Sequence, residues 1–234
     1  MSTQSPTTQT QLHDRRNRGS GQPIRVLIID DHPAIRAGVA GVLAAEPDIE
    51  PAAMAATAQE ALIEARRASL DVAIVDYHLP DRDGLSLALQ LKALPDPPAV
   101  LIYSAFADGR LRIGASIAGA DALASKDCPA DELCDIVRAV ANGGCSLPQI
   151  SAEVLSAVAS RLEAEDLPIL GMLVNRIAPA DVAEVLGISS ERLEMRCWAI
   201  LQRIASPDRH AHPGTSTSFR PRQAVRTRTA ARRS

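Results

Sequence analysis

The feature that most constrains this chain is a regular alternation of short apolar runs with longer helical patterns between residues 24 and 146. Ile24 to Ile29 is a mostly apolar, β-branched run, the pattern of a strand buried on both faces. Pro33 to Ala45 follows as a helix with proline near its start. Ile49 to Met54 predicts a second, weaker strand, and Thr57 with Glu60 has the spacing of a capping box that opens a helix to about Ala68. Val72 to Val75 predicts a third strand ending at Asp76, and Leu85 to Leu94 a helix stopped before Pro95. Val100 to Tyr103 predicts a fourth strand ending at Ser104, residues 108–118 a helix, and Ala122 to Ala124 a fifth strand. Pro129 to Ala141 is a helix closed by Asn142-Gly143-Gly144. Strict alternation of this kind predicts an α/β fold, a doubly wound five-stranded parallel sheet with helices on both faces.

In such folds ligands gather at the carboxyl ends of the strands. Asp30 and Asp31 follow the first expected strand, Asp76 the third, Ser104 the fourth and Lys126 the fifth. Any one of these is more often a cap, a turn residue or a solvated charge than a reactive group. Five at the ends of successive strands point the other way. Three carboxylates at one edge repel, and a hard cation such as Mg2+ relieves that repulsion through oxygen ligands. A lysine and a hydroxyl beside them can stabilise charge on a transferring phosphoryl group, with an aspartate as nucleophile. A small phosphohydrolase is a competing reading. It would place its nucleophile near Asp30, which fits the positions of Ser104 and Lys126 poorly.

Residues 151–206 carry helical patterns without a strand signal, and the expected helices are Ile169 to Arg176, Pro179 to Leu186 and Ser189 to Ile204. Gly187 between the last two suits a tight helix–turn–helix corner. Residues 1–23 and 207–234 are too polar to offset the entropy of ordering, and both are expected to be disordered. Charge is divided unevenly. Residues 25–150 hold 18 Asp/Glu against 10 Lys/Arg, whereas residues 207–234 hold seven arginines against Asp208. Such asymmetry marks a partner-binding tail, set against a solvated, idle one. Aromatics are only 2% of the chain, so aliphatic residues must fill the core. Cys128, Cys134, Cys145 and Cys197 lack the paired spacing of a zinc site and are read as free, mostly buried thiols. No apolar run is long enough for a membrane span, and the N-terminus lacks a secretory pattern, so a cytoplasmic location is expected.

The segments RVLIIDDHPAIRAG, VAIVDYHLPDRDG, LIYSAF and GADALASKD, in this order, resemble the receiver domain of two-component response regulators, and DDHP resembles the NarL/FixJ branch. The resemblance implies a flavodoxin-like receiver over residues 24–146 and a non-enzymatic signalling role, with Asp76 as acceptor of a phosphoryl group from a sensor histidine kinase. It implies Mg2+ held by Asp31, Asp76 and the backbone carbonyl of His78, with Asp30 acting through water. Ser104 and Lys126 would contact the phosphoryl oxygens. His78 and Phe106 would tune dephosphorylation, and Pro80 and Gly84 would shape the loop beside the site. Family members carry an aromatic in the fifth strand, and Ala122 is read at that position.

Residues 151–206 resemble a LuxR-type helix–turn–helix domain, with ADVAEVLGIS the strongest segment. Val182, Ala183, Leu186, Ile188, Leu193, Cys197, Ile200 and Leu201 are its expected core. The resemblance implies transcription control, DNA as a partner through Ser190, Arg192, Arg196 and Arg203, and a homodimer on activation. Two departures favour a competing reading, a signalling adaptor or phosphate sink whose helices bind protein. Glu191 and Glu194 stand where basic or polar residues are usual, and EAEDLPIL replaces the threonine–arginine–glutamate opening.

Overall fold

A computed structural model describes residues 21–105 and 108–205. Five strands alternate with five helices, in the order β1 (Ile24–Ile29), α1 (Pro33–Ala44), β2 (Ile49–Ala55), α2 (Ala58–Arg67), β3 (Val72–Asp76), α3 (Gly84–Lys92), β4 (Ala99–Ser104), α4 (Gly109–Ile117), β5 (Ala122–Ser125) and α5 (Ala130–Ala141). Every strand pair is parallel, and the sheet order is β2-β1-β3-β4-β5. The alternation predicts the parallel doubly wound sheet, and the order is the flavodoxin-like one that the receiver resemblance implies. Both faces are covered, which is why β3 and β4 are buried at every position and read as unbroken apolar runs up to their polar ends.

Alternation along the strands divides the core in two. Val26, Ile28, Val72, Ile74, Leu101 and Tyr103 pack with Val39 and Leu43 of α1 and with Leu133, Val137 and Val140 of α5. Leu27, Ile29, Ala73, Val75, Val100 and Ile102 face the opposite way, toward α2, α3 and α4. Thr57 caps α2 as expected, its Oγ1 accepting from Glu60 N, while the Glu60 carboxylate reaches one residue past the N-cap and accepts from Ala56 N at 2.8 Å.

Four helices follow, one more than the sequence pattern indicates: α6 (Ala152–Ala159), α7 (Leu167–Val174), α8 (Pro179–Leu186) and α9 (Ser190–Ala205). The additional α6 spans only eight residues, too short for its periodicity to stand out, although Ser151 caps it by accepting from Val154 N. Gly187 ends α8 in the left-handed region at φ 63°, and Ile188 N donates to Ala183 O to close the corner into α9. Val182, Ala183, Leu193, Cys197, Ile200 and Leu201 are buried, while Leu186 and Ile188 are half-buried beside them.

The helical segment does not stand apart from the sheet. Leu85 and Leu111 on α3 and α4 share one buried cluster with Val158, Ile169, Leu170, Leu201 and Ile204. A side chain such as Leu201 contributes about 2 kcal/mol when withdrawn from water, so this seam is energetically substantial. The connection between the two parts is also tied down. Ser146 forms a parallel bridge with Ala122, donating to Asp121 O and accepting from Leu123 N. Leu147 O accepts from Arg176 at 3.2 Å.

Among the cysteines, all four are free; Cys134 and Cys197 are buried, Cys128 is half-buried and Cys145 is exposed. Burial pushes the Cys197 thiol up to about 12, so it is inert as a nucleophile. No described helix is long and apolar enough to cross a membrane. Most of residues 1–23, Phe106 and all of residues 207–234 lie outside the described residues.

Candidate functional site

The carboxyl ends of β1, β3, β4 and β5 bring the expected residues to one edge of the sheet. Lys126 is the hub. Its Nζ lies 2.6 Å from Asp30 Oδ2 and 3.0 Å from Asp76 Oδ2. Asp30 and Asp76 are almost fully buried, and Asp31 is open to solvent. Burial alone pulls the Lys126 ammonium toward its neutral form. Its hydrogen bonds to Asp30 and Asp76 outweigh that, so its pKa stands above the ordinary lysine value. Ser104 is buried at the end of β4, and its carbonyl accepts from Lys126 N at 3.0 Å, locking β4 to the lysine's backbone.

The acidic residues are held in place from several directions. Asp30 Oδ1 accepts from His32 N at 2.8 Å, and Asp30 O accepts from Arg36 Nη1 at 2.6 Å. His32 Nδ1 lies 2.6 Å from Asp31 Oδ1. One ligand atom each from Asp30, Asp31, His32 and Asp76 fall within 4.8 Å of one another. Three carboxylates against one lysine leave a surplus of negative charge, and their oxygens suit a small divalent cation. His32 is the member of this group that sequence reasoning did not single out. Its place in the DDHP segment was the available signal.

The loop after β3 is fitted closely around Asp76. Gly84 N donates to Tyr77 O at 2.7 Å, and a Cβ on Gly84 would lie 2.2 Å from the Asp76 carbonyl oxygen. Only glycine lets α3 start this near Asp76. Asp81 reaches across to accept from Ala58 N and Gln59 N, capping α2, while Asp83 caps α3 through Ser86 N. His78 bridges to Asp83 inside this loop, so its backbone is fixed two residues beyond Asp76.

The structure corrects the reading of Ala122. Ala122 and Ala124 face α1 and α5, whereas Leu123 faces the α2–α4 side together with Val100 and Ile102. Ser104 continues the face of Val100 and Ile102. The β5 residue on the face of Ser104 is therefore Leu123, an aliphatic side chain that is 5% exposed. The period of two makes a one-residue misreading flip the face.

On α9, Ser190 and Arg192 are exposed. Arg196 and Arg203 are engaged within the chain. Asp166, at the start of α7 and almost fully buried, accepts from Arg196 Nη2 at 2.6 Å and from Arg203 Nη1 at 2.7 Å. Glu165 and Glu163 complete the clamp on Arg196 and Arg203 respectively. The hydrogen bonds that Arg196 donates to Glu165 and Asp166 hold its pKa above the usual value.

A response regulator receiver domain matches residues 26–138. The chain is 32% identical over 182 residues to the transcriptional regulatory protein UhpA of Salmonella typhimurium, covering 77% of this chain and 91% of UhpA. It belongs to the response regulator family. Within that family its relatives are of the NarL/FixJ type, and LiaR of Bacillus subtilis is 28% identical over 80% of this chain and 93% of its own. Among solved structures, the signal receiver domain of NarL from Mycobacterium tuberculosis matches with a TM-score of 0.51 and 30% identity. It covers 52% of this response regulator and 98% of the NarL chain.

Proposed function

We propose that this response regulator takes a phosphoryl group on Asp76 from a sensor histidine kinase and, once phosphorylated, controls transcription through α8 and α9. The observation that carries the first half is Lys126 bridging buried Asp30 and Asp76 beside exposed Asp31. A carboxylate oxygen of Asp76 attacks phosphorus, the P–N bond of the phosphohistidine breaks, and the imidazole leaves carrying a proton from solvent. Lys126 and the Ser104 hydroxyl neutralise and orient the phosphoryl oxygens in a site of low dielectric. Asp31, Asp76 and the His78 carbonyl would hold Mg2+, with Asp30 acting through water. The cation would supply charge stabilisation for the in-line transfer.

For the output, Ser190 and Arg192 are the exposed candidates for duplex contact. Arg196 and Arg203 become available to phosphates only if their pairs with Asp166 open. UhpA and LiaR are transcriptional regulatory proteins by name, which supports that output here. A cytoplasmic location and a homodimer formed on activation belong to the same reading. Incubation with a labelled small phosphodonor and a divalent cation tests the site: label lands on the wild-type chain, and Asp76→Asn carries none. Label kept by that variant would refute the assignment.

A further inference from the structure

The side of α9 toward α3 is chemically unlike a surface built for a polyanion. Glu191, Glu194, Met195 and Trp198 follow helical spacing along one side, with Met195 68% and Trp198 52% exposed. This side faces α3 across a groove of about 590 Å³ lined by Ser86, Leu89, Gln90 and the same four α9 residues with Ala199. The floor is apolar and two carboxylates stand on the α9 side. No lysine or arginine lines it among the described residues. A half-exposed tryptophan beside exposed methionine calls for an occupant, and the carboxylates call for a cationic one.

We infer that the occupant is the arginine-rich segment of this same chain, residues 207–234. That segment holds seven arginines against one acidic residue, and Phe219-Arg220-Pro221-Arg222 alternates apolar and cationic side chains. Guanidinium groups stack on an indole face and pair with flanking carboxylates, and Phe219 matches the apolar floor. Reach is ample. Trp198 lies seven residues before the end of α9, about 10 Å along the helix. The stretch from Ala205 to Phe219 can extend to roughly 46 Å. Tethering makes the encounter intramolecular, with an effective concentration on the order of millimolar, so modest contacts suffice. Docked there, the segment bridges α3 and α9. Its arginines then cannot engage phosphates at the same time.

Trp198 is the single tryptophan in the chain and reports directly on the groove. Acrylamide quenching is compared between the full chain and one ending at residue 206, with thermal melts confirming that both are folded. Trp198 in the full chain is expected to be shielded, with a quenching constant about twofold lower than in the shortened chain, as a covering side chain blocks its exposed half. The shielding should disappear near 1 M salt, where the Debye length is about 3 Å, and in the double variant Glu191→Gln, Glu194→Gln. Equal quenching of the two chains overturns the inference. So does shielding that rises with protein concentration, which assigns the groove to a second copy. Shielding that appears only with duplex DNA overturns it as well.

Discussion

Two charge clusters in this molecule have similar ingredients and opposite character. At the carboxyl edge of the sheet, Asp30 and Asp76 share Lys126, and Asp31 stands beside them. At the start of α7, Glu163, Glu165 and Asp166 share Arg196 and Arg203. The first cluster is short of positive charge by two, and one of its carboxylates faces solvent. That surplus of negative charge is compatible with a divalent cation and supports the phosphoryl transfer proposed above. The second comes closer to balance inside the chain, with Arg196 forking onto one oxygen of the buried Asp166 carboxylate and Arg203 donating to the other. It leaves little to offer a ligand and acts as a clamp between α7 and α9. Charge count and access, more than residue type, separate a reactive site from a structural one.

The largest effect that would sharpen this contrast is expected at Gly84. Gly84→Ala places a Cβ against the Asp76 carbonyl, so β3 and α3 must part. A loss of roughly 4 kcal/mol in urea unfolding is expected, together with loss of labelling at Asp76. Lys126→Met comes next, because it strands two buried carboxylates without their cation. About 3 kcal/mol should be lost near neutral pH. The pH sign follows from the raised lysine pKa. In the wild type the contribution is full below the ordinary value of 10.5 and is lost as pH rises through the higher folded value. A variant that kept this alkaline limb would show that it arises elsewhere.

Asp166→Ala should cost about 2 kcal/mol, since it leaves two partly exposed arginines without their shared partner. The same variant should bind duplex DNA with a steeper salt dependence, its slope increased by about 1 to 2, as Arg196 and Arg203 become free for phosphates. An unchanged slope would show that this face of α9 does not meet the duplex. The smallest effect is expected at Arg138, which forks onto Asp48 at 2.8 Å and reaches Glu46 on the receiver surface. Arg138→Ala should lower the urea midpoint only slightly, and salt should mask the change.

The alternation of apolar runs and helices made β1 and β3 legible to within a residue, because strands buried on both faces read as nearly continuous apolar runs. β4 and β5 each extend one residue further at their carboxyl ends, where Ser104 and Ser125 complete the pairing. The site was legible for the same reason: Asp30, Asp76 and Lys126 stand where their strands stop. Leu123 was misread as Ala122 because the buried run Ala122-Leu123-Ala124 shows no apolar–polar alternation to mark which face is which. The α6 helix was missed because a two-turn helix carries too little periodicity. The Asp166 clamp joins residues 30 and 37 positions apart. Nothing local in EAED signals that its last carboxylate is buried.

The bridge between Ser146 and Ala122 has a practical consequence. β5 is the outer strand of the sheet, and the connecting segment lies along its free side, anchored at one end to Asp121 and Leu123 and at the other to Arg176. It acts as a selvedge that keeps the sheet from recruiting further strands. A receiver fragment cut before Cys145 would lose that border and bare the hydrogen-bonding groups of β5. Such a fragment should self-associate edge to edge, whereas one retaining Ser146 and Leu147 should stay monodisperse.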